Sequence, residues 1–131
     1  MIPEIEFKEN ARLFNVPIST IERDYAQNWL LAHLPKMAFK GGTGIRKAYI
    51  ENYRFSDDLD FTLLEKSNFK DLTNKIKKAI QDTKNASGIS FLDNIKSEEV
   101  KNGYVINIYF RILRATGDPL KIKMDIIKKR K

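Results

Sequence analysis

The 131-residue chain is long enough for one domain with a single hydrophobic core, and its composition excludes several classes of protein. Hydrophobic residues make up 42% of the chain and charged residues 31%, as in ordinary globular domains. The absence of cysteine excludes disulfides and thiolate metal sites. No apolar run approaches the roughly 18 residues of a membrane span, so we predict no membrane association and a cytoplasmic location. The net charge of +7 favours polyanionic partners such as RNA or nucleoside triphosphates.

The first third of the chain carries signals for two helices and a short strand. A capping box formed by Ser19 and Glu22 predicts the start of a helix that runs towards Pro35. Its apolar face is expected to consist of Ile21, Tyr25, Trp29 and Ala32. Residues 37–40 predict a buried strand, and Thr43 is suited to cap a second helix.

The remainder of the chain predicts strands separated by one long helix. Residues 58–64 alternate between apolar and polar side chains, which indicates a strand with one buried face. Ser67 is expected to cap an amphipathic helix that ends near Lys84. Strands at 89–100 and 104–113 are predicted to form a hairpin around Asn102-Gly103, and 120–127 to form the last strand.

The element order α-β-α-β-α-β-β-β predicts a mixed α/β (α+β) fold in one domain spanning residues 1–131. We expect a largely antiparallel sheet with helices packed on one face. The basic residues at about 128–131 are expected to form a short tail.

Asp58 and Asp60 are the first candidate site residues, because side chains two apart on a strand leave the same face. Paired carboxylates repel unless a cation lies between them, and oxygen ligands suit Mg²⁺. The last strand offers a third carboxylate, Asp125, on its outward side together with Lys121 and Lys123. Whether that side adjoins the first two carboxylates depends on strand order, which alternation does not decide. A solvated acidic loop is the alternative interpretation.

Gly41, Gly42 and Thr43 form a turn that is suited to bind phosphate. Glycines allow close approach of the backbone, and a helix N-terminus presents free N–H groups. Lys121 and Lys123 are candidates to neutralise phosphate charge. The aromatic residues Tyr104, Tyr109 and Phe110 belong to an alternating strand and are expected to be mostly core, and stacking of an outward Tyr109 on a base is the alternative.

The segments "IERDYAQNWLLAHL" and "FKGGTGIRKAYIENYRFSDDLDF" resemble the nucleotidyl transferase AbiEii/AbiGii toxin family. That family belongs to the polymerase-beta-like nucleotidyltransferase superfamily, so the resemblance implies a palm fold. It implies that Asp58, Asp60 and Asp125 are catalytic ligands of two Mg²⁺ ions. It also implies that Gly41, Gly42 and Thr43 hold the triphosphate of an NTP, and Lys123 is added as a nucleotide-binding candidate.

The same resemblance implies transfer of NMP from an NTP to an acceptor, expected to be RNA and in particular tRNA, with release of pyrophosphate. Members of the family act in toxin–antitoxin or abortive-infection systems, so a cognate antitoxin is the expected partner. They usually continue well beyond the strand that contains Asp125, whereas this sequence ends a few residues after it. We therefore expect a core-only or truncated member. The alternative function is a catalytically weak nucleotide- or RNA-binding module.

Overall fold

A computed structural model of the chain describes residues 1–34, 37–39, 58–63 and 68–128. Within these ranges the helices are α1 (Glu4–Phe14), α2 (Ile18–Leu31) and α3 (Phe69–Ser87). The strands are β1 (Met37–Phe39), β2 (Asp58–Leu63), β3 (Ser90–Phe91), β4 (Lys96–Val100), β5 (Gly103–Arg111) and β6 (Leu120–Ile127). Among the helices of this described part, none has the length and apolar character needed to cross a bilayer. The predicted helix after Thr43 lies outside the described residues.

The strands form one mixed sheet in the order β1-β2-β6-β5-β3, and β4 also pairs with β5. β2 and β6 are parallel, whereas the other described pairs are antiparallel. The prediction of a mixed, mostly antiparallel sheet is therefore confirmed. The bounds of β6 agree with the predicted 120–127, and those of β1 and β2 agree to within one residue.

The hydrophobic core lies between α2, α3 and one face of the sheet, as the one-sided arrangement predicted. Alternate residues of each long strand point into it, because successive side chains of a strand leave opposite faces. The helices contribute Ala26, Leu30, Leu72, Ile76 and Ile80 to this core. The central strands contribute Leu59, Phe61, Ile106, Ile108, Phe110, Ile122, Met124 and Ile126.

Helix α1 was not predicted from the sequence. It is held to α2 by Phe7, which is fully buried and makes an edge-to-face contact with Tyr25 at a centroid distance of 5.2 Å. Asn15 ends the helix in the left-handed conformation at φ 56°, and its amide N–H bonds to the Arg12 carbonyl. Asparagine is one of the few residues that adopt this conformation readily.

The predicted capping box at the start of α2 is wrong. The helix begins at Ile18, directly after Pro17, and no side chain caps it. Glu22 is instead 5% exposed, and its Oε1 accepts a hydrogen bond from the Leu113 N–H at 3.0 Å. A long-range tertiary contact therefore takes the carboxylate that the local pattern assigned to the helix end.

Helix α3 is also capped by a different residue from the one predicted. The Asn68 Oδ1 accepts a hydrogen bond from the Asp71 N–H at 2.7 Å, whereas Ser67 lies outside the described residues. The helix continues past the predicted end at Lys84 to Ser87. It ends where Gly88 adopts φ 77° and bonds to the Lys84 carbonyl, a conformation that glycine adopts without steric conflict.

The predicted single strand at 89–100 is two strands, β3 and β4, both paired with β5. The Leu92 N–H bonds to the Tyr109 carbonyl, and pairing resumes with Lys96 opposite Asn107. Residues 93–95 therefore stand opposite one residue of β5 and cannot continue the ladder. Such an insertion bends an edge strand without ending the sheet.

Gly103 sits where β5 approaches β6 too closely for a side chain. A Cβ atom at this position would lie against the backbone carbonyl of Ile126.

We predict that Gly103→Ala lowers the free energy of unfolding by about 1–3 kcal/mol, because the two strands must separate locally. Urea unfolding followed by circular dichroism measures the change. Lys101→Ala, an exposed substitution in the same turn, is the control and should change stability by less than about 0.5 kcal/mol. Equal stability of both variants would contradict the prediction.

Candidate metal and nucleotide site

The predicted metal ligands lie on the sheet face opposite the described helices, hereafter the open face. In β2, Leu59 and Phe61 are buried towards the helices, whereas the alternate residues Asp58 and Asp60 are half-buried. The alternation inferred from the sequence is thus present, and both carboxylates project from the open face.

The parallel pairing of β2 with β6 brings the third acidic residue to the same face. Asp60 is the pairing partner of Asp125, and Asp58 is the partner of Lys123. Paired residues of neighbouring strands lie about 4.8 Å apart and point the same way. The open face therefore carries two carboxylates side by side, a third carboxylate two residues earlier on β2, and Lys123 on β6 beside that third carboxylate.

Asp125 experiences the negative charge of this group directly. Its pKa is raised above the ordinary value, first by burial and then by the charges of Asp60 and Asp58. Lys123 opposes the shift, and its Nζ lies 3.9 Å from the Asp125 Oδ2. That distance is at the outer limit of an ion pair, and both side chains are about a third exposed (38% and 34%). The lysine therefore compensates the carboxylates only in part.

The chemistry of these side chains fits Mg²⁺, although they do not form a closed cage. In the described ranges, no three potential ligands converge tightly enough to hold a metal ion by themselves. Mg²⁺ commonly takes one or two carboxylates and fills its other positions with water and substrate phosphates. Three carboxylates at strand spacing, with a raised pKa for Asp125, match an open site of that kind.

A cavity of about 630 Å³ opens beside Asp125, between the β4–β5 turn and the end of β6. Its wall is mainly apolar and includes Val100, Val105 and Ile127, with Lys101 and Lys128 at its margin. A cavity of this size is within the range of small-molecule and nucleotide sites. It adjoins the carboxylates on the side away from Asp58.

The glycine-rich turn is not among the described residues. β1 ends at Phe39, whose pairing partner Phe61 directly follows Asp60. Gly41, Gly42 and Thr43 come next in the sequence but lie outside the described ranges. Their assignment to phosphate binding stays a prediction.

Asn107 is a residue of the open face that sequence reasoning did not single out. It pairs with Lys123 on one side and Lys96 on the other. Its Oδ1 is buried and has no hydrogen-bond partner among the described residues. The alternation of β5 places Asn107 outward, but the position beside Lys123 follows only from the pairing of β5 with β6.

Residues 25–130 match the family model described as nucleotidyl transferase AbiEii toxin, type IV TA system. The chain belongs to this family. The match covers most of the chain and includes both carboxylate-bearing strands. A search of curated proteins found no match.

Membership in this family confirms the resemblance noted in the sequence and gives the general class of the chain. It is a nucleotidyltransferase toxin of a toxin–antitoxin system, for which a nucleotide substrate and an antitoxin counterpart are expected. The mixed sheet with one-sided helices is consistent with a nucleotidyltransferase fold.

The raised pKa of Asp125 leads to a stability prediction. Since the folded-state pKa lies above the unfolded value, ionisation of this carboxyl destabilises the folded chain, and the loss develops as pH rises through the folded pKa. In metal-free buffer at neutral pH, Asp125→Asn should therefore have a higher Tm than wild type. The difference should shrink below about pH 4, where the carboxyl is protonated in both states.

Added Mg²⁺ should make the Tm of wild type higher than that of Asp125→Asn, because a cation that binds the carboxylates only in the folded chain stabilises wild type. The free energy of unfolding of wild type rises by about 2.7 kcal/mol when the Mg²⁺ concentration is a hundred times the dissociation constant. The increase for Asp125→Asn should be smaller. Differential scanning calorimetry with and without EDTA measures both effects. Asp118→Asn, the same chemical change at an exposed position, should show neither effect. A wild-type Tm that does not respond to Mg²⁺ would argue against the metal site.

Proposed function

We propose that this chain transfers NMP from an NTP to an RNA acceptor in a Mg²⁺-dependent reaction that releases pyrophosphate. The acceptor we propose is the end of a tRNA. Asp58, Asp60 and Asp125 hold the cations, two of which are expected. Family membership supports the general nucleotidyltransferase class. The substrate, the Mg²⁺ dependence and the RNA acceptor are part of the proposal.

The observation that carries the proposal is the register between β2 and β6. It makes Asp60 and Asp125 neighbours on the open face, although they are 65 positions apart in the sequence. The charges of Asp58 and Asp60 act on Asp125, so the three carboxylates belong to one electrostatic unit. Such a unit is unfavourable without a cation and suited to a substrate that arrives with one.

In the proposed reaction, a hydroxyl oxygen of the acceptor forms a bond to the α-phosphorus of the NTP. The bond from that phosphorus to the oxygen bridging to the β-phosphate breaks, pyrophosphate leaves, and the hydroxyl proton passes to water. When bound, Mg²⁺ supplies charge stabilisation for the attacking and leaving oxygens. Asp125 adjoins the 630 Å³ cavity, which suits it to the acceptor side of the site.

Lys123 is suited to bind phosphate oxygens of the NTP. It pairs with Asp58 across the strands, and its weak contact with Asp125 leaves the ammonium available to a stronger anion. Gly41, Gly42 and Thr43 are proposed to hold the triphosphate through backbone N–H groups and the threonine hydroxyl. Loss of Lys123 should therefore weaken NTP binding more than it slows transfer.

The biological setting follows the family. A toxin that modifies RNA must be countered by an antitoxin, which we propose as the protein partner of this chain. Action on cellular RNA requires a cytoplasmic location, and growth arrest of this kind is compatible with abortive infection. The net charge of +7 supports binding to RNA and NTP.

The test is transfer of label from α-labelled NTPs to total RNA in the presence of Mg²⁺. Asp60→Asn and Asp125→Asn should each lower the transfer rate by at least about a hundred-fold, because each removes several kcal/mol of charge stabilisation. Asp118→Asn, at an exposed position, should retain wild-type activity. EDTA should abolish the reaction.

NTP binding is measured in parallel by equilibrium dialysis. Wild-type chain that binds NTP in the presence of Mg²⁺ but transfers no label to RNA would overturn the proposed reaction. That result would favour the alternative, a nucleotide- or RNA-binding module.

A further inference from the structure

The open face continues beyond the carboxylates across β5 and β4. Lys123 pairs with Asn107, and Asn107 pairs with Lys96, so one row of the sheet runs from Asp58 to the edge strand. In the next row, towards the start of β6, Lys121 pairs with Tyr109. Apart from Asp58, none of these side chains is proposed to hold a metal.

This part of the open face is positively charged. Lys96 and Lys121 are exposed, and Lys123 is about a third exposed. Glu98, which belongs to the row of Asp125, is the acidic residue of β4 on this face. Lys123 lies within ion-pair distance of Asp125. The two exposed lysines near Tyr109, Lys96 and Lys121, are therefore the cations available to a phosphate backbone.

Tyr109 provides an aromatic surface within the same patch. Its side chain is half-buried, so the ring is held against the sheet while part of it stays open to solvent. The Lys96 Nζ lies 5.9 Å from the ring centroid, which brings a cation to the aromatic surface. A partly exposed aromatic ring flanked by lysines is a combination that binds unpaired bases and their phosphates.

We propose that this basic patch, formed by Lys96, Tyr109 and Lys121, binds single-stranded RNA next to its 3′ or 5′ acceptor end. The inference rests on the proposed function, because it assumes that the acceptor is RNA. One base stacks on Tyr109, and the two lysines bind neighbouring phosphates. Lys121 and Asp125 are four positions apart on β6, about 13 Å at strand spacing, so an RNA strand on the patch reaches the carboxylates within a few nucleotides.

The occupant is single-stranded for a physical reason. Within a duplex, bases are stacked on one another and hide their faces, so a ring on the sheet surface cannot stack on them. An unpaired end exposes its bases to Tyr109 and its phosphates to the lysines. The patch therefore selects RNA with a free single-stranded end.

The first test measures binding of a labelled single-stranded RNA of about 12 nucleotides by fluorescence anisotropy, without NTP and with EDTA. Tyr109→Leu should weaken binding about 5- to 100-fold, the range expected for loss of one base–aromatic stack. Tyr109→Phe keeps the ring and should bind within about twofold of wild type. An unlabelled duplex of the same length should compete poorly.

The second test measures how binding depends on salt. The double variant Lys96→Gln/Lys121→Gln should reduce the slope of log K against log salt by about 1.4, because each phosphate contact of a single strand contributes about 0.7. The matched control is Lys77→Gln/Lys78→Gln, which removes two exposed lysines from α3 on the other side of the sheet. That control should lower the slope much less.

The outcomes separate this inference from the proposed reaction. Equal binding by wild type and Tyr109→Leu, undetectable binding by wild type, or equal competition by duplex would each overturn the inference, whatever the transfer assay shows. Binding that depends on Tyr109 and the two lysines, combined with no transfer of label, would overturn the proposed reaction and support the RNA-binding patch.

Discussion

The parallel pairing of β2 with β6 is the contact on which the candidate site depends. β2 carries Asp58 and Asp60, and β6 carries Asp125, but each strand alone presents no more than two carboxylates. Parallel neighbours need a long connection, and here α3 and β3 to β5 provide it. The connection covers one face of the sheet with α3 and extends the other face with β5 and β4. The same chain path thus builds the core and widens the site.

This arrangement trades stability for function on the open face. Asp125 is half-buried beside two other carboxylates, and Lys123 offsets their repulsion only partly. A chain selected for stability alone would place apolar or neutral side chains at these positions. The repulsion is relieved when cations bind, so the unfavourable apo state and the affinity for Mg²⁺–NTP have one physical origin. Stability and metal binding should therefore change together in variants of this site.

Much of the fold and part of the site were accessible from the sequence because they depend on local periodicity. The alternation of apolar and polar residues predicted the bounds of β2 and β6 to within one residue. It also predicted that Asp58, Asp60 and Asp125 face outward. Prediction failed where a distant contact overrode a local pattern. Glu22 was assigned to a helix cap, yet it accepts a hydrogen bond from the Leu113 N–H, 91 positions away. The interruption of the edge strand at residues 93–95 likewise depends on β5.

By itself, the sequence determined the outward and inward positions of each long strand and the residue types available for phosphate and metal chemistry. Side-chain alternation and helical spacing are properties of one segment, so no other part of the chain is needed to infer them. Tertiary structure alone decided that Asp125 stands beside Asp60 and that Tyr109 and Lys96 extend the same face. Strand order and register are set by how separate segments pack around a shared core, and single-segment patterns do not contain that information.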